Sequence, residues 1–197
     1  MTEAASPLGE ALAGTVGRKV PGLSAALVTE AGAVWSGAAG HADLATTTSA
    51  HSDTVYLWFS MTKIVTATAV VQLAERGALD LDAPVAGFVP GFPSGTATVR
   101  HLLSHSSGLP NPIPVRWVRP AGSPRPDPHE FTAGLLRRHG KLTSRPGETA
   151  RYSNLGYVVL GEVIAAVSGA PYIDYVRQNV LEPLGMTQTD FVYRAEL

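Results

Sequence analysis

The stretch Tyr56-Leu57-Trp58-Phe59-Ser60-Met61-Thr62-Lys63 decides how this 197-residue chain is organised. It leads into a largely apolar run that ends at Gly77 and predicts a buried helix. Residues i and i+3 share one face of a helix, with Cβ atoms about 5–6 Å apart. The side chains of Ser60 and Lys63 are therefore expected to point the same way from the first turn of that helix.

Serine followed by lysine three positions later is the pairing of a nucleophile with a base. A serine hydroxyl is a weak nucleophile unless a base takes its proton. A lysine can do this where burial lowers the pKa of its amine from about 10.4 towards 7. The helix N-terminus adds about half a positive charge where an alkoxide forms. Alone, the S-x-x-K spacing is weak evidence, because serine near a helix start is usually an N-cap.

The composition excludes several classes of function. Hydrophobic residues make up 45% of the chain and charged residues 16%, which is typical of a globular protein. The net charge of −1 provides no attraction for nucleic acid or an anionic membrane, so neither is an expected partner. Cysteine is absent, which excludes disulfides and thiol catalysis. No secretory signal and no apolar run of about 20 residues is found, so the expected location is cytoplasmic.

The first fifty residues predict one helix and one β-hairpin. A Ser-Pro pair is a good N-cap and first helical residue, and a glycine at the bend between two apolar runs is typical of a hairpin. The predicted elements are a helix from Pro7 to near Gly17, strands Leu23–Thr29 and Ala33–Gly40, and a polar connection Asp43–Asp53.

The rest of the chain predicts helices joined by loops. After the helix that follows Ser60, the predicted helices begin after Thr98 and after Asp127 and cover Leu155–Val167; a last helix starts at Pro171 and ends before Pro183. The proline-rich residues 110–128 predict a long surface loop. The expected fold class is α+β, with residues 1–50 in an α/β subdomain and residues 51–197 in a helical subdomain.

Two further motifs follow S-x-x-K in order: TVRHLLSHSSGLP at residues 98–110 and PGETARYSN at residues 146–154. With these motifs the sequence resembles the serine β-lactamases and penicillin-recognising enzymes. The matching branch contains class C β-lactamases, D-Ala-D-Ala peptidases and related esterases. The resemblance covers nearly the whole chain from about residue 22 onward.

The resemblance implies a role for four residues. Ser60 would be the acylated nucleophile, Lys63 its general-base partner, and Tyr152 a second proton carrier. Asn154 would bind the substrate's amide or acyl side chain. Which of Lys63 and Tyr152 takes the serine proton stays open, because two coupled groups titrate as one site. The backbone N–H of Ser60 would supply one oxyanion donor.

The implied reaction passes through an acyl-enzyme. The implied substrate is a small ester, a β-lactam or a D-alanyl peptide, and no cofactor or metal is expected. The oligomeric state stays open.

Two departures from the family pattern give a second hypothesis. Phe59 stands where a small residue is commoner, so its packing around Ser60 is expected to differ. The third motif of the family, K-T-G or H-x-G, does not occur after Asn154; the strand carrying it supplies a second oxyanion donor. The alternative is therefore a truncated or degenerate, catalytically silent chain, acting as a binding module or needing a complementing segment.

His101 and His105 lie four residues apart and offer a competing interpretation as zinc ligands. Leu102 stands where the H-E-x-x-H motif has glutamate, and no third ligand is evident. A structural role for the two histidines is the favoured interpretation. Asp80 and Asp82 are similarly expected to be caps or solvated carboxylates rather than an acid/base pair.

Overall fold

A computed structural model describes residues 6–113, 117, 120 and 122–192 of the chain. The chain divides into two units, Met1–Leu57 and Trp58–Leu197. The predicted α+β class is correct, since helices accompany a small antiparallel sheet. The proposed subdomains, 1–50 and 51–197, stay a prediction.

The described residues of the first unit, from residue 6 onward, form one helix and three strands: α1 (Pro7–Thr15), β1 (Gly22–Thr29), β2 (Gly32–Asp43) and β3 (Thr48–Ser49). Ser6 caps α1, because its Oγ accepts a hydrogen bond from the Gly9 N–H at 3.1 Å. Strands β1 and β2 form the predicted antiparallel hairpin. Gly32, at the bend, has a φ of +114°, which only glycine adopts readily.

Strand β3 corrects the sequence prediction, which treated residues 43–53 as a connection only. Thr48 and Ser49 pair with the end of β2. A two-residue strand carries no periodicity of its own, so only the neighbouring strand defines it.

The second unit is built from helices: α2 (Thr62–Glu75), α3 (Val99–Leu103), α4 (Pro128–His139), α5 (Asn154–Ser168) and α6 (Tyr172–Val176), which a π-helical turn, Arg177–Leu181, continues. Short 3-10 turns cover Phe59–Met61 and Val85–Gly87. The predicted loop at 110–128 includes residues 114–116, 118–119 and 121, which lie outside the described residues.

Helix α5 is the centre of the core. Its sequence is apolar on almost every face, and α2, α3, α4 and α6 all pack against it. Fully buried side chains on this helix are Leu155, Val159, Leu160, Val163 and Ile164. Ser153 caps its first turn and Gly169, with a φ of +69°, ends it. The first turn of α5 therefore starts within the packed core of the unit.

The start of α2 differs from the prediction. Ser60 lies in the 3-10 turn Phe59–Met61 rather than in the α-helix, which begins at Thr62. The helix also buries only one face, since Ile64 is 57% exposed while Val70 is fully buried. A helix that is apolar all round gives no sequence signal for which face packs inward.

Among the described residues, no single helix has the length and apolar character needed to cross a membrane. Helix α5 and the segment Tyr172–Leu181 meet that test only when taken together, across a bend of 80°.

Candidate active site

The four residues singled out by the motifs lie together in the second unit. Ser60 Oγ is 2.6 Å from the Tyr152 hydroxyl and 3.4 Å from Lys63 Nζ. Lys63 Nζ also donates a hydrogen bond to Asn154 Oδ1 at 2.7 Å. These contacts join the start of α2 to the start of α5, 91 or 92 residues apart in sequence.

Helix geometry explains why Lys63 and Asn154 meet. Lys63 lies in the first turn of α2, and Asn154 is the first residue of α5. Because α2 and α5 pack against each other, their N-termini bring both side chains to one place. Tyr152 lies two residues before the first residue of α5, in the loop whose last residue is Ser153. From there its hydroxyl contacts Ser60.

Tyr152 has the electrostatics of a proton acceptor. Burial is the largest influence and raises the pKa of its hydroxyl, but hydrogen bonds with Lys63 and Ser60 and the charge of Lys63 outweigh it. The net result is a pKa below the usual 10.0. The Lys63 ammonium lies 4.8 Å from the centroid of the Tyr152 ring, in cation–π contact.

The neighbouring Tyr157 has the opposite tendency. Burial and the proximity of Tyr152 raise the pKa of Tyr157 above 10.0. Its hydroxyl donates to the Leu103 carbonyl oxygen at 3.0 Å. The pKa of Tyr152 is thus lowered while that of the neighbouring Tyr157 is raised. This difference indicates that Tyr152 is the tyrosine suited to exchange protons.

Asn154 links the site to a residue that the sequence did not single out. The Asn111 side-chain oxygen accepts hydrogen bonds from the Asn154 backbone N–H and side-chain amide, both at 3.0 Å. With its own oxygen turned to Lys63, Asn154 has its orientation fixed from both sides. Its amide nitrogen carries two hydrogens, of which Asn111 needs one, so the predicted contact with a substrate is compatible with this geometry.

His105 is a second residue whose place the sequence did not reveal. The Ser153 N–H donates to His105 Nδ1 at 3.2 Å, and the Arg151 N–H donates to the His105 carbonyl oxygen at 2.8 Å. The ring lies 4.6 Å from the Tyr152 ring. His105 therefore holds the backbone on both sides of Tyr152.

The conformation of His105 is itself unusual. Its φ of +57° lies in the left-handed region, which is uncommon for a residue with a side chain. Burial, and then the charge of Lys63, lower the pKa of the imidazole below 6.5. At neutral pH the ring is uncharged, so Nδ1 can accept the Ser153 hydrogen bond. In the sequence, only the HSSG motif pointed to His105, since the φ angle of a residue cannot be predicted from its type.

Phe59 lies beside Ser60 with a φ of +44° and a side chain that is 75% exposed. The predicted difference in packing around Ser60 therefore takes the form of an exposed aromatic ring on a strained backbone. Ser60 is also exposed in this structure.

The competing sites have structural roles. His101 Nδ1 accepts from the Thr98 N–H at 3.1 Å and completes a capping box for α3. Asp82 pairs with Arg100 at 2.7 Å, and Asp80 accepts from the Asp82 N–H at 2.8 Å. Within the described residues, no group of three or more His, Asp or Glu side chains could hold a metal ion.

Fold and site together define a β-lactamase-like chain, and comparison with known proteins agrees. The family model described as Beta-lactamase matches residues 8–195. The chain therefore belongs to the β-lactamase family, as its motifs predicted. Penicillin-binding protein 4* of Bacillus subtilis is 30% identical over 159 residues, covering 76% of this chain and 33% of the relative.

Solved structures give the same result. The octameric penicillin-binding protein homologue from Pyrococcus abyssi is 35% identical, with a TM-score of 0.74 over 86% of this chain and 40% of that chain. The D-amino acid amidase from Ochrobactrum anthropi SV3, complexed with L-phenylalanine amide, is 32% identical, with a TM-score of 0.77 over 89% of this chain and 48% of that chain. The chain spans about a third of the length of the curated relatives it matches.

Proposed function

We propose that this chain carries the acylation machinery of a serine hydrolase, in which Ser60 forms an acyl-enzyme with an ester or amide substrate. The observation that carries the proposal is the 2.6 Å contact between Ser60 Oγ and the Tyr152 hydroxyl, backed by the Lys63 ammonium. All residues needed for this proton transfer lie on the second unit.

Tyr152, rather than Lys63, is the proposed acceptor of the serine proton. A distance of 2.6 Å is a short O–H···O hydrogen bond, whereas 3.4 Å between Lys63 Nζ and Ser60 Oγ is at the limit for one. Lys63 is also held as a donor by Asn154. In this role the ammonium stabilises the Tyr152 phenolate by its charge and does not itself take the proton.

The proposed steps balance as follows. The Tyr152 phenolate takes the Ser60 proton while Oγ bonds to the substrate's carbonyl carbon. The tetrahedral intermediate collapses as the bond to the leaving oxygen or nitrogen breaks, and Tyr152 gives the leaving group its proton. Water then attacks the acyl carbon on Ser60 with Tyr152 again as base. The bond from that carbon to Oγ breaks, Tyr152 gives its proton back to Oγ, and the acid is released. General acid–base catalysis of this kind contributes about 10²–10⁴-fold.

The substrate class is narrowed only by the relatives. These relatives include a penicillin-binding protein and a D-amino acid amidase. A β-lactam, a D-amino acid amide and a small ester are therefore the substrates to compare. An ester, a β-lactam and a D-alanyl peptide, the substrate classes expected from the sequence, all stay proposals.

A fluorophosphonate probe tests the proposal directly, because it modifies only an activated serine. We expect mass spectrometry to find the label on Ser60, with none in Ser60→Ala, whereas Ser104→Ala, which removes another exposed serine hydroxyl, keeps full labelling. A folded chain whose Ser60 stays unlabelled over hours would instead support the catalytically silent alternative. Turnover of a chromogenic cephalosporin, a D-phenylalanine amide and a nitrophenyl ester would then rank the substrates.

A further inference from the structure

The Lys63 ammonium lies against two tyrosine rings, of which the proposed proton transfer uses only one. Its Nζ is 4.8 Å from the centroid of the Tyr152 ring and 5.6 Å from the centroid of the Tyr157 ring. Both distances are within the roughly 6 Å over which the face of a ring attracts a cation. The Tyr157 hydroxyl donates to the Leu103 carbonyl oxygen at 3.0 Å. Tyr157 therefore meets Lys63 through its ring, while its oxygen is bonded elsewhere.

The ring of His105 connects the two tyrosines. Its centroid is 4.6 Å from that of Tyr152 and 5.0 Å from that of Tyr157, with the ring planes tilted by 42° and 40°. Aromatic rings at such separations attract one another beyond the effect of burial alone. His105, Tyr152 and Tyr157 thus form one ring cluster beside Lys63.

Helix α5 fixes the position of Tyr157 relative to the ammonium. Tyr157 lies three residues after Asn154, whose side-chain oxygen accepts a hydrogen bond from Lys63 Nζ at 2.7 Å. Residues i and i+3 share one face of a helix, so the amide and the ring approach Lys63 from the same side. Tyr152, by contrast, lies in the loop before α5. The core helix therefore presents two separate groups to one ammonium.

Lys63 needs such groups because there is open space beside it. A cavity of about 340 Å³ opens there, and Lys63, Asn154 and Tyr157 all form part of its wall. Four of the lining side chains are aromatic. The lysine amine is carried on a flexible four-carbon stem. It has room to turn away from Ser60 unless groups in the wall hold it.

The charge state of Tyr157 suits it to hold a cation. Burial, and then the proximity of Tyr152, raise the pKa of its hydroxyl above 10.0, whereas the pKa of Tyr152 is lowered. Tyr157 therefore stays neutral where Tyr152 ionises. A neutral ring attracts the ammonium through its quadrupole without competing for the Ser60 proton.

We propose that Tyr157 is a positioning residue, whose ring holds the Lys63 ammonium beside Tyr152 together with the side-chain oxygen of Asn154. The proposal rests on the role proposed above for Tyr152 as acceptor of the Ser60 proton. Tyr157 carries no proton in this reaction and acts on it only through Lys63.

Nuclear magnetic resonance of ¹³C-labelled lysine tests the position of Lys63 without any turnover. The chain has only three lysines, Lys19, Lys63 and Lys141, so Lys63→Met assigns the resonance. The two tyrosine ring faces should shift the Lys63 ε-methylene protons upfield of those of the other lysines. Tyr157→Leu should remove most of that shift, whereas Tyr157→Phe, which keeps the ring, should retain it.

An unmoved Lys63 resonance in folded Tyr157→Leu would overturn the proposal. Circular dichroism checks the fold. Tyr157→Met, with a longer unbranched side chain and no ring, takes the place of Tyr157→Leu if that variant does not fold, and the same loss of the upfield shift is expected.

Titration of Tyr152 tests whether Tyr157 acts through Lys63. The absorbance titration of each variant, less that of the same variant with Tyr152→Phe, isolates this hydroxyl. Tyr157→Leu should raise the pKa of Tyr152, because the ammonium is no longer held beside it. Loss of packing alone would expose Tyr152 and lower its pKa, since burial raises it. In a Lys63→Met background Tyr157→Leu should cause no further rise, and an equal rise in both backgrounds would overturn the proposal.

The rate of Ser60 labelling by a fluorophosphonate gives the kinetic consequence. Tyr157→Leu should lower it by about 3- to 30-fold, the range of a typical cation–π contact, while Tyr157→Phe should stay within about threefold of the wild type. Equal losses in Tyr157→Leu and Tyr157→Phe would assign the effect to the hydroxyl and contradict the proposal.

The resonance and titration experiments also separate this proposal from the proposed function, because neither needs an activated serine. If Ser60 of the wild type stays unlabelled, but the Lys63 shift is present and Tyr157→Leu removes it, the proposed function fails and the holding of Lys63 is supported. If Ser60 is labelled, but Tyr157→Leu changes neither the Lys63 resonance nor the labelling rate, only the positioning proposal fails.

Discussion

Tyr152→Phe is the substitution that tests the proposed chemistry most sharply, because it removes one oxygen atom and keeps the ring. The ring contacts with His105 and Lys63, at 4.6 and 4.8 Å, remain possible. The hydroxyl 2.6 Å from Ser60 Oγ is lost, and the nearest remaining base is Lys63 at 3.4 Å. We expect the rate of Ser60 labelling by a fluorophosphonate to fall by about 10²–10⁴-fold.

That fall corresponds to roughly 3–5 kcal/mol of transition-state stabilisation. The free energy of unfolding should change little, because Tyr152 is 45% exposed and its hydroxyl is not a core group. Tyr157→Phe is the matched control: it removes the hydrogen bond to Leu103 O, at about 1 kcal/mol of stability, without touching Ser60. Tyr152→Phe labelled at the wild-type rate between pH 6 and 10 would refute the assignment and make Lys63 the base.

Three further predictions address the surroundings of the site. Lys63→Met should raise the pKa of Tyr152, because it removes both the neighbouring positive charge and a hydrogen-bond donor; titration of the tyrosine absorbance would show it, and an unmoved curve would contradict it. His105→Asn, which tolerates a positive φ and offers an oxygen near the position of Nδ1, should keep far more of the labelling rate than His105→Phe; equal rates would exclude a positioning role. Leu160→Ala in the core should cost about 2–5 kcal/mol in urea unfolding, whereas Ile64→Ala, at an exposed position, should cost under about 0.5 kcal/mol.

Much of the fold was readable from local signals. The Ser-Pro start of α1, the glycine at the hairpin bend and the Ser153 and Gly169 ends of α5 each act through the backbone of one or two residues. Such signals depend on the dihedral preferences of single residues and on local hydrogen bonds. They can therefore be recognised without knowing what the element packs against. The boundary at Ser60 was misplaced because Phe59 adopts a positive φ, which no sequence rule assigns to phenylalanine.

The sequence also singled out the candidate site residues, though not the contacts between them. Ser60, Lys63, Tyr152 and Asn154 were found from three short motifs in the right order. Whether the tyrosine or the lysine faces the serine more closely depends on distances between side chains 92 residues apart. A motif fixes residue identity, whereas these distances are set by how α2 packs against α5.

The sequence alone indicated most of the elements, the family and the four candidate site residues, because propensity, capping and motif spacing are local properties. The packed structure was needed to see that His105 holds the backbone around Tyr152, that Asn111 orients Asn154, and that a cavity lined by aromatic rings opens beside Lys63. The physical reason is that hydrogen bonds, pKa shifts and cavities arise between groups distant in sequence, whose separation is fixed only when the helices pack.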